Sequence, residues 1–197
     1  VESTTDGRNA RRERNRVAAL DAAIELFGEG TTPSPEAVAR AAGLSLSSIY
    51  RYFPDMESFR LAAIARGVER NRALLQIPDL GEGPLDDRIG RFVDARVTFF
   101  EHAAPVLRAV VQASHHHEAL AEQYRAGRDA ARADTLRHFA PEFQAMSASQ
   151  RAWVGATIDV LIQVESVDHL HVHLGHPLSV VRAMMREALA ALLRSAV

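Results

Sequence analysis

Apolar residues in this chain recur three and four positions apart rather than two, which predicts helices throughout and almost no strand. Val17, Leu20, Ile24 and Phe27 give a first helix from about Arg11 to Phe27, with Gly28 to Gly30 as its stop. Ser34 followed by Pro35 opens a short second helix ending at Gly43, and Ser45 caps a third from Leu46 to Tyr52. Pro54 and Asp55 open a fourth that reaches about Leu75. The eight prolines serve as punctuation, because a proline inside a helix loses a hydrogen bond. On that basis further helices are expected near 85–102, 105–115, 118–139, 148–173 and 178–194, about nine in all. Gln76 to Pro84 is rich in Gly and Pro and reads as a linker. The expected organisation is a domain over 8–72 and a larger one over 76–197.

Two of these helices are apolar on more than one face. In the eighth, Trp153, Ala156, Val160 and Val164 form one stripe and Val154, Ile158, Leu161 and Ile162 another. In the ninth, Val180, Val181, Met184, Met185, Ala188, Leu189, Leu192 and Leu193 cover most of the circumference. A surface helix needs one apolar stripe. A helix that also meets a second subunit needs two, so these helices are the expected dimer interface; burial inside a monomer is the competing reading.

Composition narrows the class. A hydrophobic fraction of 47% with 24% charged residues fits a globular chain. The longest apolar stretch, Ala152 to Val164, is broken by Asp159 and Gln163 and is too short to cross a bilayer. Neither a signal peptide nor a membrane partner is expected, and without cysteine a cytoplasmic location is favoured. All 23 basic residues are arginine, which with the abundant Ala and Val suggests a GC-rich bacterial genome. The net charge of −2 does not advertise nucleic-acid binding, but the segment from Arg8 to Arg16 carries five arginines against one acid. Such an arm either contacts nucleic acid or is simply solvated.

The chemistry lies in the second and third helices. They are joined by Gly43-Leu44-Ser45, with small Ala39 allowing close approach and Val38 and Ile49 packing between them, the plan of a helix-turn-helix. The run Val38-Ala39-Arg40-Ala41-Ala42-Gly43-Leu44-Ser45, then Ile49-Tyr50-Arg51-Tyr52-Phe53-Pro54 and Glu57, resembles the N-terminal module of TetR-family regulators. An Ala-rich first helix ending in Leu26-Phe27, followed by Gly30, Thr31 and Thr32, completes the likeness. The resemblance implies an all-α protein: a three-helix DNA-binding head and a larger helical domain for effector binding and dimerisation. It also implies a bacterial transcriptional repressor, binding a pseudo-palindromic operator as a homodimer through the eighth and ninth helices.

Within that frame the third helix enters the major groove with its N-terminal residues near base edges. Leu46, Ser47, Ser48 and Arg51 are the candidates for readout, with Arg51 on guanine or on phosphate, and Ser45 beside them completes the DNA-binding set on this helix. The resemblance gives Tyr50 a phosphate contact; Thr32 and Ser34 can add others at a helix N-terminus. Arg8, Arg11 and Arg12 reach a neighbouring groove or add general attraction. Tyr52 and Phe53 are expected in the core. Two positions depart from the family, where lysine is frequent: Leu46 and Met56 cannot neutralise phosphate. Asp55 is expected to cap the fourth helix.

In the larger domain Phe92, Phe99 and Phe100 could line an effector pocket. Arg96, Arg108, Gln112, Trp153, Asp159 and Gln163 could border it, a lining suited to a small hydrophobic or amphipathic molecule. Glu165, His169 and His173 fall four apart, as a metal site or metal-dependent enzyme would need. The preferred reading is that this run closes a helix, where dipolar side chains suit exposed carbonyls. No cofactor, no metal and no enzymatic activity are expected, because no glycine-rich phosphate loop, no Gly-x-Ser-x-Gly elbow and no thiol is present.

Overall fold

The computed structural model describes residues 2–28 and 33–194, and all regular structure among them is helical. The helices are α1 (Glu2–Gly28), α2 (Pro35–Ala41), α3 (Leu46–Tyr52), α4 (Met56–Asn71), α5 (Leu85–Ser114), α6 (Glu118–His138), α7 (Ala140–Ala145), α8 (Ala148–Leu161), α9 (Val164–Asp168) and α10 (Leu178–Arg194). A 3₁₀ turn follows α4 at Arg72–Leu75, and a π turn follows α9 at His169–His173. The chain divides into two compact units, Val1–Arg70 and Asn71–Val197.

The first unit closes on small residues. Ala19, Leu20 and Ala23 of α1 meet Val38 and Ala39 of α2, Ile49 of α3 and Phe59 and Ala63 of α4. Four alanines among these side chains let short helices approach closely enough to exclude water with few large groups. Phe53 is buried beside them, its ring edge-on to Phe59 at 4.8 Å. Two acids spaced four apart on α1 face two arginines spaced four apart on α4. Asp21 accepts a two-pronged bond from Arg66 (2.7 and 2.8 Å), and Arg70 bridges Asp21 and Glu25.

The second unit is built around α5, against which α6, α9 and α10 pack. Its core joins Ile89, Phe92, Val93, Val97 and Phe100 to Phe139, Phe143, Val154, Ile158, Val181, Met185, Leu189 and Leu193. On the outside, Arg182 and Arg186 of α10 pair with Asp94 and Glu101 of α5, and Arg194 with Asp86.

Four expectations about elements are corrected. First, α5 runs unbroken through Pro105. A mid-helix proline costs about 3 kcal/mol, but Phe100, Ala104, Val106 and Val110 around it are buried, at about 1.5–3 kcal/mol for each large side chain. Second, the single helix expected over 148–173 breaks. Gln163 is extended (φ −70°, ψ 150°), and the Val160 carbonyl accepts both the Gln163 N–H (3.4 Å) and the Ser166 hydroxyl. Third, α7 was not anticipated, since Pro141 sits inside its first turn instead of interrupting it. Fourth, α1 begins at Glu2 rather than Arg11, so the basic arm is helical.

The segment read as a linker is also part of the second unit. Ile77 is in its core, and the Gly81 N–H (φ 84°) donates to Nδ1 of the fully buried His138 at 3.0 Å. The ring's Nε2–H is then left to donate to the Arg88 carbonyl (2.8 Å). Arg88 is 4% exposed and uses its whole fork: Nε donates to Gly83, Nη1 to the His138 carbonyl and Glu142, and Nη2 to Glu142 at 2.6 Å. Burial raises the Glu142 carboxyl, yet the Arg88 hydrogen bonds overcome that and hold it below its ordinary range. Desolvation, reinforced by the Arg88 charge, holds His138 neutral and lowers its pKa.

Candidate nucleic-acid interface

The geometry of α2 and α3 follows from three residues. Ser34 Oγ accepts the Ala37 N–H (3.2 Å) and Ser45 Oγ accepts the Ser48 N–H (3.3 Å), so each helix starts on a hydroxyl cap. Between them Gly43 takes φ 65°, where a side chain would be strained even though a Cβ there meets nothing within 4 Å. Ile49, fully buried, anchors the inner face of α3, and the opposite face is left in solvent.

That outer face carries the expected readout residues. Ser45, Ser47, Tyr50 and Arg51 are exposed, with Tyr50 at 52%, and Leu46 and Ser48 are half-buried beside them. The Ser45 hydroxyl lies 3.0 Å from that of Ser47 and 2.9 Å from that of Ser48, so three donor-acceptor groups cluster at the N-terminal end of α3. The guanidinium of Arg51 donates through Nη2 to Ser48 Oγ (3.2 Å) and to the Tyr52 hydroxyl (3.3 Å), and stacks over the Tyr52 ring. Tyr52 Oη also accepts from Asn15 Nδ2 of α1 at 3.2 Å; these bonds, Asn15 first, lower the phenol's pKa. Tyr52 is therefore not simply core: its ring is half-buried and its hydroxyl orients the neighbouring arginine.

Ser34 is exposed at the start of α2, while Thr32 lies outside the described residues. Arg8, Arg11 and Arg12 are exposed on the helical arm of α1. Asp55 caps α4, accepting the Ser58 N–H at 2.6 Å, and that bond holds its carboxyl low. Met56 is half-buried against the core. The pins from Asp21 and Glu25 to Arg66 and Arg70 were missed in the sequence, although matched spacings of four on two helices were a usable signal.

In the second unit the residues expected to line a pocket are dispersed. Phe92 and Phe100 are in the core, Phe99 is half-buried and Gln112 exposed. Arg108 is paired with Asp168 and Asp159 with Arg132. Gln163 lies in the break after α8, and Trp153 is 46% exposed on the outer face of that helix. Arg96 is buried at 5% exposure over the face of Phe92. The His/Glu arrangement does not assemble a metal site. His169 stacks on His173 at 5.7 Å, Glu165 accepts the Tyr124 hydroxyl instead, and no trio of potential ligands converges among the described residues. No helix among them is long and apolar enough to cross a membrane.

Residues 19–63 match the family model described as bacterial regulatory proteins, tetR family. Over 87 residues the chain is 34% identical to the HTH-type transcriptional repressor LfrR of Mycolicibacterium smegmatis (strain ATCC 700084 / mc(2)155). That match takes in 44% of this chain and 46% of the relative, so it spans under half of the relative's length. The fold is similar to that of a tetR-family transcriptional regulator from Streptomyces coelicolor, with a TM-score of 0.73 at 22% identity over 93% of this chain and 82% of that one. It is also similar to a transcriptional regulator from Rhodococcus sp. Rha1, with a TM-score of 0.66 at 18% identity over 94% and 97%.

Proposed function

We propose that this chain, which belongs to the TetR family through its N-terminal module, is a ligand-responsive transcriptional repressor that binds operator DNA as a homodimer. The observation that carries the reading is α3 itself. One face is fixed by Ile49, and the other offers Ser47 in the first turn, the end that a recognition helix presents to base edges, followed by Tyr50 and Arg51 in the last turn. Arg51 reads guanine, Tyr50 and Ser34 hold phosphate, and the arginines of the α1 arm add sequence-independent attraction.

Dimerisation is assigned to α8 and α10. Ile158 and Val154 of α8 and Val181, Met185, Leu189 and Leu193 of α10 are spent on the core. The second apolar stripe is left outside: Trp153 (46%) and Val160 (57%) on α8, Val180 (40%) and Met184 (41%) on α10. Exposed apolar groups at helical spacing on two helices suit a four-helix contact between two copies, whose two-fold axis matches a pseudo-palindrome. Effector binding in the second unit would favour a dimer whose heads no longer fit successive grooves, and a cytoplasmic location follows from this role.

Fluorescence anisotropy on DNA from around the gene, with salt and competitor varied, tests the reading. Saturable binding that survives competitor and maps to an inverted repeat supports it. Equal, salt-labile binding to every fragment would overturn it.

A further inference from the structure

α5 carries two buried arginines two turns apart, and they are not equivalent. Arg88, 4% exposed, is fully engaged by Glu142, Gly83 and His138. Arg96, 5% exposed, is not. Its Nε is buried with no hydrogen-bond partner, and Nη2 reaches only the Ala131 carbonyl at 3.5 Å. The nearest carboxylate, Asp134, stands 3.9 Å away and is itself engaged by Arg137. The rest of its surroundings is aromatic and aliphatic: Phe92 lies under the guanidinium at 5.2 Å, with Val93, Val97 and Phe100 on the same helix in the core.

A buried cation without a closely matched counter-charge is strongly unfavourable, and an unmade hydrogen bond in the interior adds to that. Arg88 demonstrates that this core can neutralise an arginine completely, so the unpartnered Nε edge of Arg96 is an available binding group.

We infer that Arg96 is the anion-recognising group of the effector site, and that the effector is an amphipathic monocarboxylate whose carboxylate takes the guanidinium between α5 and α6. The planar fork suits two parallel bonds to a carboxylate, which would also give the buried guanidinium the close counter-charge it lacks. This deepens, and rests on, the reading of the second unit as the effector-binding part.

The test has a ligand-free arm and a ligand arm, both on the full chain. Without ligand, Arg96→Met should raise the thermal midpoint by about 2–4 °C, whereas Arg88→Met should lower it. If Arg96→Met lowers the midpoint as Arg88→Met does, Arg96 is a structural cation and the inference falls. In the ligand arm, millimolar octanoate and benzoate are compared with octanamide and benzamide by thermal shift. A carboxylate should raise the wild-type midpoint, its amide should not, and the Arg96→Met protein should respond to neither. Equal shifts from acid and amide, or no shift from either acid, overturn the carboxylate assignment. Operator affinity without ligand is measured alongside. Loss of it in the wild type would count against the regulator reading, whereas unchanged affinity in Arg96→Met with a lost carboxylate response isolates the effector site.

Discussion

Glu142→Gln removes one negative charge from the buried network and alters almost nothing else. The amide occupies the same volume, but it cannot neutralise Arg88, whose Nη1 and Nη2 now donate to Glu142 at 2.8 and 2.6 Å. Breaking one side of a buried, hydrogen-bonded pair costs about 3–5 kcal/mol. For a chain of this size that corresponds to a fall of roughly 6–20 °C in the midpoint. The unit concerned also contains the chain's single tryptophan, Trp153, so its fluorescence follows that unit while circular dichroism at 222 nm follows both. The fluorescence transition should move well below that of the wild type, and the ellipticity curve should become biphasic as the two units separate. Arg88→Met combined with Glu142→Leu, which removes both charges, should recover most of the loss. A midpoint within about 1 °C of wild type for Glu142→Gln would refute the reasoning, as would a double variant worse than the single.

Acid should weaken the second unit in two stages. His138 has a lowered folded-state pKa, so its contribution is complete above the unfolded value of about 6.5 and declines as pH falls below it. Glu142 is also depressed in the fold, so its contribution is complete above about pH 4.3 and is lost as pH falls towards its lower folded value; denaturant titrations at pH 7, 5.5 and 4 check both. Gly43→Ala should destabilise the first unit by about 1–2 kcal/mol through backbone strain alone, read from urea unfolding, because no neighbour crowds the added methyl. Tyr50→Phe and Arg51→Ala should each weaken operator binding in anisotropy titrations with an unchanged midpoint; unaltered affinity in both would remove α3 from the interface. Met56→Lys, its stem lying along the core, should steepen the salt dependence of DNA binding by roughly 0.9 per head for each phosphate gained.

Most of the first unit was legible because its signals are local. Serine caps, a glycine in the turn and the apolar pattern around Val38 and Ile49 act within a few residues, and α2, α3 and their caps stand where those signals put them. What stayed hidden depends on partners far along the chain. Pro105 looked like a terminator because the burial that carries α5 past it comes from other helices. The break at Gln163 rests on Ser166 reaching back six residues, a contact that periodicity does not encode. Arg88 and Glu142 are 54 positions apart, and neither looks unlike a surface residue until α5 and α7 meet. Asn15 and Tyr52, 37 apart, are similar.

The way α10 completes the core bears on how the chain is made. The core residues of α1 to α4 pack on one another, so the head can begin to order once α4 has been synthesised. The other unit cannot. Val181, Met185, Leu189 and Leu193 fill a core begun at Ile89 and Phe92, and the arginines of α10 seek acids on α5 that were translated 80 to 110 residues earlier. Until residues 178–194 emerge, the part of α5 that α10 covers stays open even after α6 and α9 have packed, dependent on slow long-range closure. A chain cut short in this stretch would therefore carry a finished head joined to an unfinished body, with apolar surface that only α10 can hide.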